Sequence, residues 1–118
     1  MTITRLDSDG RLSKAVVHGD TVYLGGITPD DPDADIVGQT RQVLATVDDL
    51  LARAGTDKSR LLLVNVLLRT VSDWEAMNSV WDVWIDRANP PCRYSFGNAD
   101  IGGPPPRRAA ELVAIAAR

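Results

Sequence analysis

Apolar and polar positions alternate over the first quarter of the chain in the manner of short strands. Residues 3–6 alternate and stop at Asp7-Ser8-Asp9-Gly10, a run of turn residues. Residues 14–18 contain Ala15-Val16-Val17, residues 21–24 are rich in β-branched and aromatic side chains, and Gly19-Asp20 between them predicts a two-residue hairpin. Gly25-Gly26 either ends the second of these strands or lets another group approach its backbone closely. Residues 28–33 are rich in Pro and Asp and read as a loop.

From Asp35 the period becomes helical. Ile36, Val37, Val43, Leu44, Val47, Leu50, Leu51 and Ala54 form a stripe about five turns long, with Thr40 in its gap. Asp33 or Asp35 suits the N-cap, and Gly55 stands where a C′ glycine belongs. Leu61 to Leu68 is apolar on both faces of a predicted strand, so both faces need cover. Two helices can cover only one of them, which hints at an oligomer. A second helix starts at Ser72 or Asp73, carries Trp74, Met77, Trp81, Trp84 and Ile85 on one face, and is stopped by Pro90-Pro91. A strand at Cys92–Phe96, a Gly/Pro loop over 97–106 and an apolar run over 109–116 complete the chain. The last run is read as a strand, although its alanines fit a helix equally well. The order is β-β-β-α-β-α-β-β, one α+β domain over residues 1–118 with the helices on one face of the sheet.

Composition narrows the chemistry. The 118 residues suit one domain, and 44% hydrophobic with 25% charged residues is the balance of a folded chain. The net charge is −3, which disfavours a nucleic-acid or anionic-membrane partner. One cysteine permits no internal disulfide and suits a reducing compartment. The first residues show no signal-peptide pattern and no run is long enough to span a bilayer, so the expected location is the cytoplasm. One histidine and one cysteine cannot close a structural zinc site.

Among the remaining candidates, Asp31, Asp33 and Asp35 begin like a calcium loop. Ile36 stands where its glycine belongs and Gln42 where its glutamate belongs, so they read as a solvated, helix-capping loop. His18 has no partner arrangement that makes a triad, and Cys92 reads as a small buried residue or a nucleophile helped only by Arg93. Asn78 falls in the apolar stripe of the second helix and must be hydrogen-bonded if buried. The Trp stripe itself reads as a helix face packed on a sheet ahead of a binding platform. Arg93 shares a strand face with Ser95, and its planar fork suits a carboxylate. That carboxylate is either Glu111, in a structural pair, or a substrate, with Glu111 then holding a water. Arg107 and Arg108 read as solvated loop charges.

Several segments, in this order and spacing, resemble the YjgF-type reactive intermediate deaminases, the Rid family, also described as endoribonuclease L-PSP proteins. They are Ser13-Lys14-Ala15-Val16-Val17-His18-Gly19-Asp20-Thr21-Val22-Tyr23-Leu24, Gln39-Thr40-Arg41-Gln42-Val43-Leu44, Leu50-Leu51-Ala52-Arg53-Ala54-Gly55-Thr56-Asp57, Met77-Asn78-Ser79-Val80-Trp81 and Pro91-Cys92-Arg93. The resemblance implies a chorismate-mutase-like α+β fold with a six-stranded mixed sheet, assembled as a homotrimer around a central barrel with active sites between subunits. It implies hydrolysis of enamine/imine intermediates such as 2-aminoacrylate to a 2-keto acid and ammonia, with no metal or organic cofactor. It makes Arg93 the substrate-carboxylate arginine and Glu111 the acid that positions water. It sets Gly26, Ile27, Asn78 and Cys92 around the substrate. The chain departs from the family pattern at Ile27, where a glutamine is usual, at Val16, where one branch has tyrosine, and in residues 94–106. Two other functions fit the resemblance: a trimer that binds small carboxylates without turnover, and RNA cleavage, which the acidic balance argues against.

Overall fold

The structure is a computed structural model and describes residues 1–103 and 106–118. Part of the predicted 97–106 loop therefore lies outside the described residues. Strands β1 (Ile3–Ser8), β2 (Ser13–His18) and β3 (Thr21–Ile27) form an antiparallel meander. Asp9 closes the first turn by accepting from the backbone N–H groups of Arg11 and Leu12 at 2.9 and 3.0 Å. Gly19 takes φ +60° at the first central position of the β2–β3 turn, and Asp20 keeps a negative φ, as in a type II′ hairpin. β3 does not end at the glycine pair, one of the two readings the sequence allows. It runs on to Ile27 through a bulge: Leu24 faces Ala114 and Ile27 faces Leu112, so one residue is extra on β3. Gly26 absorbs the irregularity at φ +64°.

Helix α1 (Ile36–Arg53) is capped by Asp35, whose carboxylate accepts from Gly38 N–H at 2.8 Å. Its C-terminus is a Schellman motif: Thr56 N–H reaches Leu51 O at 2.9 Å and Gly55 N–H reaches Ala52 O at 3.1 Å. A single 3₁₀ turn leads to β4 (Leu61–Leu68), and another, Val71–Asp73, leads to α2 (Trp74–Trp84). Asp73 occupies the α2 N-cap position without making a side-chain cap. α2 ends at Trp84, well before Pro90, because Ile85 turns extended and packs into the core. Strands β5 (Cys92–Phe96) and β6 (Ala110–Ala117) complete the sheet in the order β1-β2-β3-β6-β4-β5.

The final apolar run is thus a strand, set between β3 and β4. Its Ala110, Leu112, Ala114 and Ala116 are all buried under the helices, where small side chains let α1 sit close. β4 pairs antiparallel with β6 and parallel with β5, the connection to β5 passing through α2. The result is two layers, one mixed sheet and one pair of helices, in a body 42 × 37 × 19 Å. One continuous core fills the space between the layers. The other sheet face has no second layer. Tyr23, Tyr94, Phe96 and Val113 stand on it at 38–55% exposure, as the doubly apolar β4 predicts. Among the described residues no helix is long and apolar enough to cross a membrane.

Candidate functional site

Arg93 faces Val64 across the β4–β5 pair, which puts it on the helix side of the edge strand. Its Nη1 donates to Asn78 Oδ1 at 2.8 Å. Its Cζ lies 4.9 Å from the Trp81 ring centroid and 5.1 Å from that of Trp74. Burial pushes the Arg93 pKa down, and the negative charge of Asp82 opposes that at longer range. The guanidinium remains charged at neutral pH. Among the described residues no carboxylate comes within ion-pair distance of it. Asn78 is half-buried in the stripe, and its side-chain oxygen is engaged by Arg93. The tryptophans both pack on the sheet and cover this charge. Ser95, on the same strand face, carries a buried hydroxyl with no hydrogen-bond partner among the described residues.

Glu111 faces Leu67 across the β4–β6 pair and so stands on the opposite, open face. The internal Arg93–Glu111 ion pair does not exist, because two pleats of opposite parity carry the two side chains to opposite sides of one sheet. Glu111 lies beside the β3 bulge: a Cβ placed on Gly26 would be 3.6 Å from its Oε1. Burial raises the Glu111 pKa, with no neighbouring cation to offset it.

The sequence-predicted residues thus divide into two groups. Arg93 and Asn78 meet on the helix side; Glu111 and Gly26 meet on the open face. Cys92, one residue from Arg93, is exposed and paired with Leu63 on the open face. Ile27 joins neither group. Its side chain is 1% exposed and belongs to the core, because the extra residue at the bulge turns position 27 toward the helices. It cannot line a cleft with its side chain. Val16 pairs with Tyr23 on the open face, and His18 stays exposed at the hairpin turn.

Arg107 and Arg108 are not free loop charges: Arg107 pairs with Asp100 at 2.6 Å, and Arg108 Nε donates to Pro29 O at 3.1 Å. Two residues escaped the sequence reading. Gln39 is buried, and its amide donates to Pro32 O and Ala34 O while accepting from Ala109 N–H, so it ties the acidic loop to the start of β6. Asn65, the single polar residue of β4, buries an Oδ1 between Tyr94 and Val113 that has no partner among the described residues. Its interruption of an apolar run was the available signal. A separate groove of about 370 Å³ between α1 and α2 shares no residue with either cluster. Its Asp48 and Ser79 are already engaged by Trp84 Nε1 and Ala76 O. Among the described residues no group of three His, Cys, Asp or Glu side chains is placed to hold a metal ion.

The domain thus has two layers, an arginine with no ion-pair partner among the described residues at one sheet edge, and a half-buried acid on the uncovered face. The chain matches the family described as endoribonuclease L-PSP over residues 2–118. A RutC family protein of Haemophilus ducreyi is 40% identical over 91 residues, covering 77% of this chain and 78% of that protein. The RutC family protein YoaB of Escherichia coli K12 is 39% identical over 93 residues, covering 79% and 81%. An uncharacterized protein of Pseudomonas aeruginosa superposes with a TM-score of 0.92 at 38% identity, covering 99% of both chains. A YjgF family protein of Neisseria meningitidis gives 0.92 at 30% identity, covering 100% of this chain and 96% of that one. This chain belongs to the YjgF/Rid (RutC, endoribonuclease L-PSP) family, and its fold is the family's fold.

Proposed function

We propose that the chain is an enamine/imine deaminase, hydrolysing small 2-imino acids of the 2-aminoacrylate type to 2-keto acids and ammonia in the cytoplasm. The observation that carries this reading is the Arg93 guanidinium, partly desolvated, held by a neutral amide and two indoles, and free of any internal carboxylate. Such a group is a receptor for the substrate carboxylate. Glu111 supplies the proton transfers. Its half-buried carboxyl has a pKa raised by desolvation, which makes it a better proton donor than an exposed carboxyl. Water adds to the imine carbon while the nitrogen takes a proton; the carbinolamine then collapses, the C–N bond breaks, and ammonia leaves. The balance is imine plus water to ketone plus ammonia.

Since Arg93 and Glu111 stand on opposite faces within one chain, a complete site in this reading takes Arg93 from one protomer and Glu111 from its neighbour. A homotrimer supplies that arrangement, and the uncovered apolar face is the surface it would bury. Gly26 and Cys92 also stand on that face, where they would border the site. The acidic balance of the chain supports a small-molecule partner over a nucleic acid. The test generates 2-aminoacrylate in place with a serine dehydratase and follows pyruvate release. Wild type should accelerate release and Arg93→Ala should lose about 100-fold, the effect of removing a charge-assisted bidentate contact. Equal rates for the two proteins contradict the reading.

A further inference from the structure

We propose that Trp74, Asn78 and Trp81 are positioning residues that hold Arg93 as an edge-open receptor selective for small planar carboxylates, the 2-oxo and 2-imino acids. This rests on the reading of Arg93 given above. The three residues fall at i, i+4 and i+7 of α2, so they form one stripe of the helix, and that stripe lies against β5 at Arg93. Trp81 is 7% exposed and belongs to the core, so packing fixes its ring. Trp74 stands at the rim at 36% exposure.

The Trp81 and Trp74 rings both lie within cation–π reach of the guanidinium, their centroids 4.9 and 5.1 Å from Cζ. Asn78 takes one of its five N–H groups, at 2.8 Å. Among the described residues no other hydrogen bond to this guanidinium occurs. Its other N–H groups make no internal hydrogen bond among the described residues, and a parallel pair of them matches the two oxygens of a carboxylate.

The chemistry of the three holders is the argument. An aspartate at position 78 would fix the guanidinium equally well but would also neutralise it. An amide and two indoles fix it and leave its charge unspent. A purely structural arginine needs no such selection of neutral partners.

The experiment uses the full chain, pyruvate as probe, and three readouts: pyruvate affinity by calorimetry, thermal midpoint, and the order of the arginine Nε–H groups by ¹⁵N relaxation. Asn78→Asp should keep the midpoint and keep the Arg93 Nε–H ordered, yet weaken pyruvate at least about tenfold by placing an internal anion on the receptor. Trp74→Leu should loosen the Nε–H and weaken pyruvate about fivefold, and Trp74→Phe, which keeps an aromatic face, should restore both. Asn78→Asp binding pyruvate as tightly as wild type overturns the inference. So does an Arg93 that reorients freely in wild type, or wild type that binds no pyruvate at millimolar concentration. Failure of the deaminase reading looks different: pyruvate binds and the variants behave as stated, but 2-aminoacrylate is not consumed faster.

Discussion

On the helix side of the sheet, Val22, Val47, Leu50 and Ala116 have no exposed surface; Gln39 is held by three hydrogen bonds and Arg93 by Asn78 and two indoles, and among the described residues only the Ser95 hydroxyl is buried there without a partner. On the other side of the same sheet, Tyr23, Tyr94, Phe96 and Val113 are between 38% and 55% exposed, and among the described residues the buried Asn65 Oδ1 has no hydrogen-bond partner while desolvation alone raises the Glu111 pKa. The strands are shared, so backbone hydrogen bonding cannot account for the difference. What differs is completeness. The helix side is a finished core, while the open side has the composition of a core and the exposure of a surface, as an interface does before its partner is added.

The contrast can be tested by substituting one face at a time. Leu50→Ala cuts a cavity into the finished core and should cost about 2–5 kcal/mol of stability whatever the assembly state, read by denaturant unfolding. Phe96→Asp puts a charge on the open face. A single chain would lose little, within about 0.5 kcal/mol, since the side chain is already 55% exposed. Sedimentation should nevertheless show a shift from trimer to monomer; an unchanged sedimentation coefficient would mean that this face is not buried by other copies.

Glu111 adds a pH signature. Its folded pKa lies above its unfolded one because burial disfavours the charged form, so the folded state holds the proton more tightly. Stability from this group is complete below the unfolded pKa and is lost as pH rises through the raised folded value. Glu111→Gln should match wild type in acid and become the more stable of the two as pH rises toward neutrality. Parallel stability curves for the two proteins would contradict the shift. The smallest effect belongs to Ser95→Ala. Removing a buried hydroxyl with no partner should leave stability within about 0.5 kcal/mol of wild type or raise it, with turnover unchanged.

The sequence revealed what depends on period and on local chemistry. The α1 stripe, the Asp35 cap, Gly55, the first hairpin and the doubly apolar β4 all read correctly, because each is decided by residues within a few positions of one another. It misread what depends on long-range register. Nothing local shows that β3 carries an extra residue at Gly26, yet that residue turns Ile27 from a candidate cleft position into the core. Nothing local shows that β6 enters the sheet with the parity that sends Glu111 away from Arg93. Arg93 and Asn78 were each legible as unusual polar residues in apolar settings. Their pairing was not, because it depends on how α2 lies over β5. The insertion of an alanine-rich last strand between β3 and β4 was equally beyond period alone.

The central claim is that each chain carries half of a site on each of two faces. The direct test mixes Arg93→Ala and Glu111→Gln chains, denatures and refolds them together, and measures keto-acid release from 2-aminoacrylate. If Arg93 of one protomer works with Glu111 of the next, random trimers should regain about a quarter of wild-type activity, since one interface in four then pairs two intact residues. Activity in the mixture no higher than in either parent protein would contradict a site shared between chains.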